Sequence, residues 1–339
     1  MAALTVTLAC TPYDRVRALL DGSVGIEGCT VVPDAMRSED LFPRVVDRAD
    51  FDISEMSLSS YLVEVSRGVG AYVAIPVFPS RAFRHSGIYV RTDRGIATPA
   101  DLRGRTVGIP EYQMTHGLWV RGMLADEYGV DTSAIRYRTA GTNEAGRKER
   151  LPLQVPPELD VRPLPAGATL NEALLAGELD AVISPSPPRA YVAGDPRVGR
   201  LFEDYGTAER AYYAKTRFFP IMHVVGIRRE LVAADPGLAG RVAAAFATAR
   251  DRALADLAEK ARAGAPPFAL PWFTESLEAT VRLMGTDYWP YGIERNAAEL
   301  AAICRYSREQ HLSARELTLA DLFPCEEFAH RSPGAPAIA

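Results

Sequence analysis

Histidine and cysteine are scarce in this chain, with five and four residues in 339. Cys10, Cys29, Cys304 and Cys325 are scattered without a CxxC pair, so neither a zinc site nor a disulfide framework is expected. The thiols read as reduced and mostly buried, as in a cytoplasmic protein. The histidines at 85, 116, 223, 311 and 330 form no HxH or HxxxH ligand pair, and no metal or organic cofactor is expected. Excess positive charge is lacking too. A net charge of -5 excludes the basic balance of a nucleic-acid binder. No run is long and apolar enough to span a bilayer, so no membrane partner is expected. Met1–Cys10 lacks the basic region and apolar core of an export signal; Leu4–Cys10 reads as a first strand. Internal repeats are missing as well.

What is present is alternation. At 339 residues the chain suits two domains. Leu4–Ala9, Thr30–Pro33, Phe51–Met56, Ala71–Val77 and Gly87–Arg91 read as strands, with helices at Asp14–Leu20, from Ser38, and at Ser57–Arg67. A second unit begins near Thr98, with strands Arg105–Ile109, Ile135–Arg138 and Ala181–Ile183 and helices Thr115–Tyr128 and Leu170–Ala176. Gly141–Pro157 reads as a long loop, Phe218–Ile227 as a strand, and the rest as helices led by the alanine-rich Leu238–Ala261. The alternation predicts parallel α/β sheets. The domains are expected at 1–95 plus 205–328 and at 96–204, with a disordered tail at 329–339.

Two segments concentrate chemistry. Pro79-Ser-Arg-Ala-Phe-Arg-His85 places two guanidiniums and an imidazole just after a buried strand, where ligands of open α/β sheets collect. Gly108-Ile-Pro-Glu-Tyr-Gln-Met-Thr115 leaves a strand and enters a helix whose first N–H groups can hold an anion. Arg forks carboxylates and His moves protons near neutral pH, so the pair suggests a site for a small polycarboxylate beside a proton donor. The opposing reading makes Arg81, Arg84 and His85 a solvated turn and Thr115 a helix cap. Glu144 and Arg147 in the long loop, and His223 inside an apolar strand, have bland readings as solvated or core residues. Thr11, Glu55, Ser57 and Ser184 end strands on the rim of the expected crevice. Arg121 is expected to be structural.

These segments, with Trp119-Val-Arg-Gly122, Glu144-Ala-Gly-Arg147, Pro220-Ile-Met-His223, Tyr288-Trp-Pro-Tyr-Gly292 and Tyr306-Ser-Arg-Glu-Gln310, resemble the 4,5-dihydroxyphthalate decarboxylase family from the first strand to about Phe323. The pattern departs at His116, His311 and Ala145, where the family tends to carry a small residue, Gly and Pro. The resemblance implies a type II periplasmic-binding-protein-like fold with the ligand crevice between two α/β domains. It also implies a cofactor-independent decarboxylase of a hydroxylated aromatic acid. His85 or His223 is then the acid, Arg81, Arg84 and Arg147 are carboxylate anchors, and Gln113, Met114, Thr115 and His116 contact substrate. Two other readings stay open: a non-catalytic binding protein of this fold, and a different lyase with a non-phthalate substrate. Homo-oligomerisation is left open.

Overall fold

The computed structural model describes residues 3–263 and 268–325 together with Phe328. The tail 329–339 and His330 lie outside the described residues. The strands are β1 (Leu4–Cys10), β2 (Cys29–Ala35), β3 (Ile53–Ser57), β4 (Tyr72–Arg81), β5 (Ile88–Arg91), β6 (Thr106–Ile109), β7 (Arg136–Thr139), β8 (Val161–Pro163), β9 (Ala181–Ile183), β10 (Val198–Arg200) and β11 (Ile221–Arg228). They form two sheets, ordered β2-β1-β3-β11-β4 and β10-β5-β9-β6-β7-β8.

Each sheet is mixed, which corrects the expectation of parallel sheets. In the first, β1 runs parallel to β2 and β3, while β11 is antiparallel to both β3 and β4. In the second, β6 is parallel to β7 and β9, while β5 is antiparallel to β9 and β10. The reversed strands are those by which the chain enters each sheet from the other. The strand read at Gly87–Arg91 therefore belongs to the second sheet, and the first crossing runs between Arg81 and Ile88. The second crossing returns between Arg200 and Ile221.

Helix Thr115–Tyr128 sits between the two units. Every residue from Thr115 to Leu124 is buried, so the helix carries no polar face over that stretch. Its apolar side chains join one cluster with Met56, Phe78 and Ile221 of the first sheet and Ile109 and Ile183 of the second. Trp119 Nε1 donates to the Ile221 carbonyl at 2.8 Å, and a Cβ at Gly122 would lie 2.3 Å from the Tyr306 ring, so only glycine admits that ring. The helix ends at Gly129, whose φ of 62° closes the last turn. Its start is thus held fixed at the crevice. Helix Leu238–Arg262 packs on Asp14–Leu20 and β4 as outer scaffold.

Candidate active site

The β3–β11 pairing builds the centre of the site. Side chains directly opposite one another on antiparallel strands share a face. His223 lies opposite Ser57, and Glu55 is two residues back on the same face of β3. His223 Nδ1 is 2.5 Å from Glu55 Oε1, and the Glu55 side chain is fully buried. The carboxylate also accepts from the Tyr13 hydroxyl at 2.9 Å and the Thr11 N–H at 2.8 Å, with the Cys10 thiol at 3.4 Å. Burial pushes the Glu55 carboxyl up, but the imidazole and the Thr11 donors outweigh it and hold it below its ordinary range. Burial and Glu55 push the Tyr13 phenol up, so it remains a donor. With Nδ1 taken, His223 has Nε2 left for the chamber it lines.

That chamber holds about 280 Å³, enough for a single-ring acid. The second unit supplies Met114, Thr115 and His116 to its wall. Thr115 Oγ1 accepts from the Ser59 N–H and lies 3.0 Å from Ser57 Oγ, so its hydroxyl ties the helix start to the end of β3. Three arginines line the space. Arg147 and Arg150 both reach one oxygen of the buried Glu111, at 2.7 and 3.3 Å, while the other oxygen has no partner. Arg84 has no carboxylate within ion-pair distance among the described residues; its Nε leans on Met222 Sδ at 3.1 Å. Burial pushes its guanidinium down to about 10, against the pull of Glu209, so it stays charged at neutral pH. Arg147, Arg150, Pro185 and Ser186 also border an outer vestibule of about 770 Å³.

Several candidate residues are not brought to the chamber. Arg81 is buried and spent on Glu299 at 3.2 Å, the Phe219 and Pro290 carbonyls, and Asn296. His85 is enclosed by the rings of Phe202, Tyr212 and Tyr128, at centroid distances of 5.0, 5.4 and 6.1 Å. Burial lowers its pKa to about 4, so it is neutral at neutral pH, and it does not line the chamber. The reason is the turn after β4: Arg81 is the buried last residue of the strand, and the short 3-10 turn at His85–Gly87 leaves His85 buried as well. Gln113 ties the long loop down through the Leu151 carbonyl. Thr11 acts through Glu55, and Ser184, bonded to Thr142 at 2.7 Å, lines the vestibule instead. His311 is exposed at a φ of 61°, a backbone state that explains why glycine suits the position. Arg121 is structural, buried over the Tyr112 ring and bonded to Gln310 at 2.6 Å. Among the described residues, no group of three His, Cys, Asp or Glu could hold a metal ion.

Comparison with known proteins decides the family. The chain is 41% identical over 323 residues to the 4,5-dihydroxyphthalate decarboxylase of Comamonas testosteroni, covering 95% of this chain and 97% of that one. The chain belongs to the 4,5-dihydroxyphthalate decarboxylase family. It is thereby a carboxy-lyase. The enzyme of that name from Pseudomonas putida is 42% identical over 213 residues, 63% of this chain and 83% of its own. No family model matches. Among solved structures, the alkanesulfonate-binding protein SsuA of Xanthomonas axonopodis pv. citri superposes with a TM-score of 0.50 at 16% identity, covering 95% of this chain and 98% of its own. The aliphatic sulphonate binding protein SsuA of Escherichia coli gives 0.51 at 14%, covering 95% and 97%. These show that the decarboxylase has the periplasmic-binding-protein-like fold. Among the described residues, no helix is long and apolar enough to cross a membrane.

Sequence reasoning missed several residues of the candidate site. Arg150, Glu111 and Ser80 line the chamber or its vestibule, and Met222 props Arg84. Glu111 and Met222 stood inside motifs already singled out, and their neighbours drew the attention. Ser80 carried a findable signal, since it sits beside His223 once β4 is paired with β11.

Proposed function

We propose that the enzyme removes one carboxylate from a hydroxylated aromatic dicarboxylic acid, 4,5-dihydroxyphthalate or a near analogue, with His223 as the acid. The observation that carries this is the Glu55–His223 contact of 2.5 Å, which fixes Nδ1 and leaves Nε2 beside a chamber lined by arginines. The ring hydroxyl para to the departing group pushes electron density onto the carbon that bears it. His223 delivers its Nε2 proton to that carbon, forming a C–H bond, while the anionic Glu55 balances the imidazolium before transfer. The C–C bond then breaks, its electron pair restores the aromatic ring, and carbon dioxide leaves. Water recharges His223. No metal or organic cofactor is required by these steps.

A cation held tightly on the departing carboxylate would stabilise the ground state and slow its loss. Arg84, with no carboxylate of its own, suits the spectator carboxylate. Arg147 and Arg150 are partly neutralised by Glu111 and draw the dianion in from the vestibule. The small chamber limits water around the reacting carbon, which strengthens these interactions.

Incubation of chelator-treated protein with 4,5-dihydroxyphthalate in D₂O tests the proposal. Carbon dioxide release with one deuterium at the vacated ring carbon is expected, and His223→Gln is expected to slow both sharply. Tight binding with recovery of unchanged acid would instead make the chain a sensor. Wild-type turnover in His223→Gln would remove the acid assignment.

A further inference from the structure

His116 is buried and lines the chamber, yet among the described residues neither ring nitrogen has a hydrogen-bond partner. Leaving such groups unpaired is costly, so a buried, unsatisfied polar side chain at the wall of a ligand site marks something the ligand supplies. His85 is equally unsatisfied, but aromatic rings surround it and it borders no cavity described above. The contrast singles out His116. Gly87 makes room for the ring: a Cβ there would fall 2.4 Å from Cε1 and 2.8 Å from Nε2. Gly87 packs on the Cε1–Nε2 edge, so Nδ1 is the nitrogen turned away from it.

Charge defines what this nitrogen can bind. Burial first, and the neighbouring Arg84 second, keep the imidazole neutral, so it offers no charge to a carboxylate. A neutral nitrogen acceptor beside a guanidinium matches a hydroxyl that donates. We infer that His116 recognises the ring hydroxyl of the substrate by accepting its hydrogen bond, and so selects hydroxylated over unhydroxylated aromatic acids. This rests on the decarboxylase reading above and names the part of the substrate that the helix start reads. The contact also acts in the reaction. When the ring carbon takes its proton from His223, positive charge moves onto the hydroxyl, whose hydrogen bond to Nδ1 then strengthens. The interaction is therefore worth more in the transition state than in the bound substrate.

Binding of 4,5-dihydroxyphthalate and of phthalate, measured by calorimetry on wild type, His116→Leu and His116→Gln, tests the inference. Wild type is expected to prefer the hydroxylated acid by about 10-fold or more, His116→Leu to lose that preference, and His116→Gln, whose amide also accepts, to recover part of it. An unchanged preference in a folded His116→Leu overturns the inference. If both variants unfold, the imidazole nitrogen signals of ¹⁵N-histidine-labelled wild type decide. A shift on adding the hydroxylated acid but not phthalate supports the contact, and equal shifts overturn it. Carbon dioxide release by wild type is read separately, so its absence counts against the proposed reaction while the binding ratio judges His116.

Discussion

Two histidines next to the crevice, His223 and His85, have opposite surroundings. His223 faces a buried carboxylate on one side and open space on the other, while His85 faces aromatic rings and has no hydrogen-bond partner. The same contrast repeats between the arginines that precede His85. Arg81 is committed to Glu299 and backbone carbonyls, whereas Arg84 is charged and, among the described residues, without an ion pair. The difference lies in a partner's position and not in residue type. A histidine with a fixed anion on one nitrogen is set to move protons through the other; one among rings is packing.

The sharpest way to break this comparison is to exchange function between the two histidines. His223→Gln is expected to lower kcat by about 10²–10⁴-fold with little change in KM, while His85→Phe stays near wild type. Steady-state rates of carbon dioxide release check both, and equal losses would erase the distinction. Glu55→Gln keeps the hydrogen bond but removes the charge behind the imidazolium. A smaller fall in kcat, about 10–100-fold, is expected.

The arginine pair separates stability from binding. Arg81→Ala strands the buried Glu299 and is expected to cost about 3–5 kcal/mol in urea unfolding. Arg84→Ala is expected to leave unfolding nearly unchanged and raise KM about 10-fold, more than it lowers kcat. The smallest effect concerns acid. His85 takes its proton near 6.5 when unfolded but only near 4 when folded. Between those values the unfolded chain binds more protons, so stability is full above 6.5 and is lost as pH falls towards 4. The loss assigned to this ring is at most about 3 kcal/mol. His85→Phe should flatten the fall in denaturation midpoint across that window, and an identical fall would mean the ring is not buried in solution.

The sequence displayed those elements that carry strong local punctuation. Helices Asp14–Leu20 and Thr115–Tyr128 were legible to the residue, the first after Pro12 and the second before Gly129. Sheet membership was not legible. The four residues of β5 are buried throughout, and a run buried on both faces does not say which sheet it joins. Helix Tyr205–Thr216 escaped because Tyr212 is its only fully buried residue among those described, leaving no apolar stripe. At the site, motif and family resemblance located the 79–85 turn and His223, yet three neighbours in that turn ended in three environments. Which one meets ligand depends on the rotation of the chain as it leaves β4, and that is set by the opposite unit. Arg150 was hidden for another reason. In a charged loop it looked solvated, and the carboxylate that holds it lies on the segment leading into helix Thr115–Tyr128.

The Glu111 oxygen that serves two arginines gives the vestibule redundancy. If Arg147 or Arg150 is lost, the other still satisfies that oxygen, and the three-residue cluster goes from net positive to neutral without an orphaned anion. Losing both leaves a buried carboxylate facing an incoming dianion. Single substitutions at this rim therefore understate what the pair does together, and sequence drift can pass through either arginine while remaining barred from removing both.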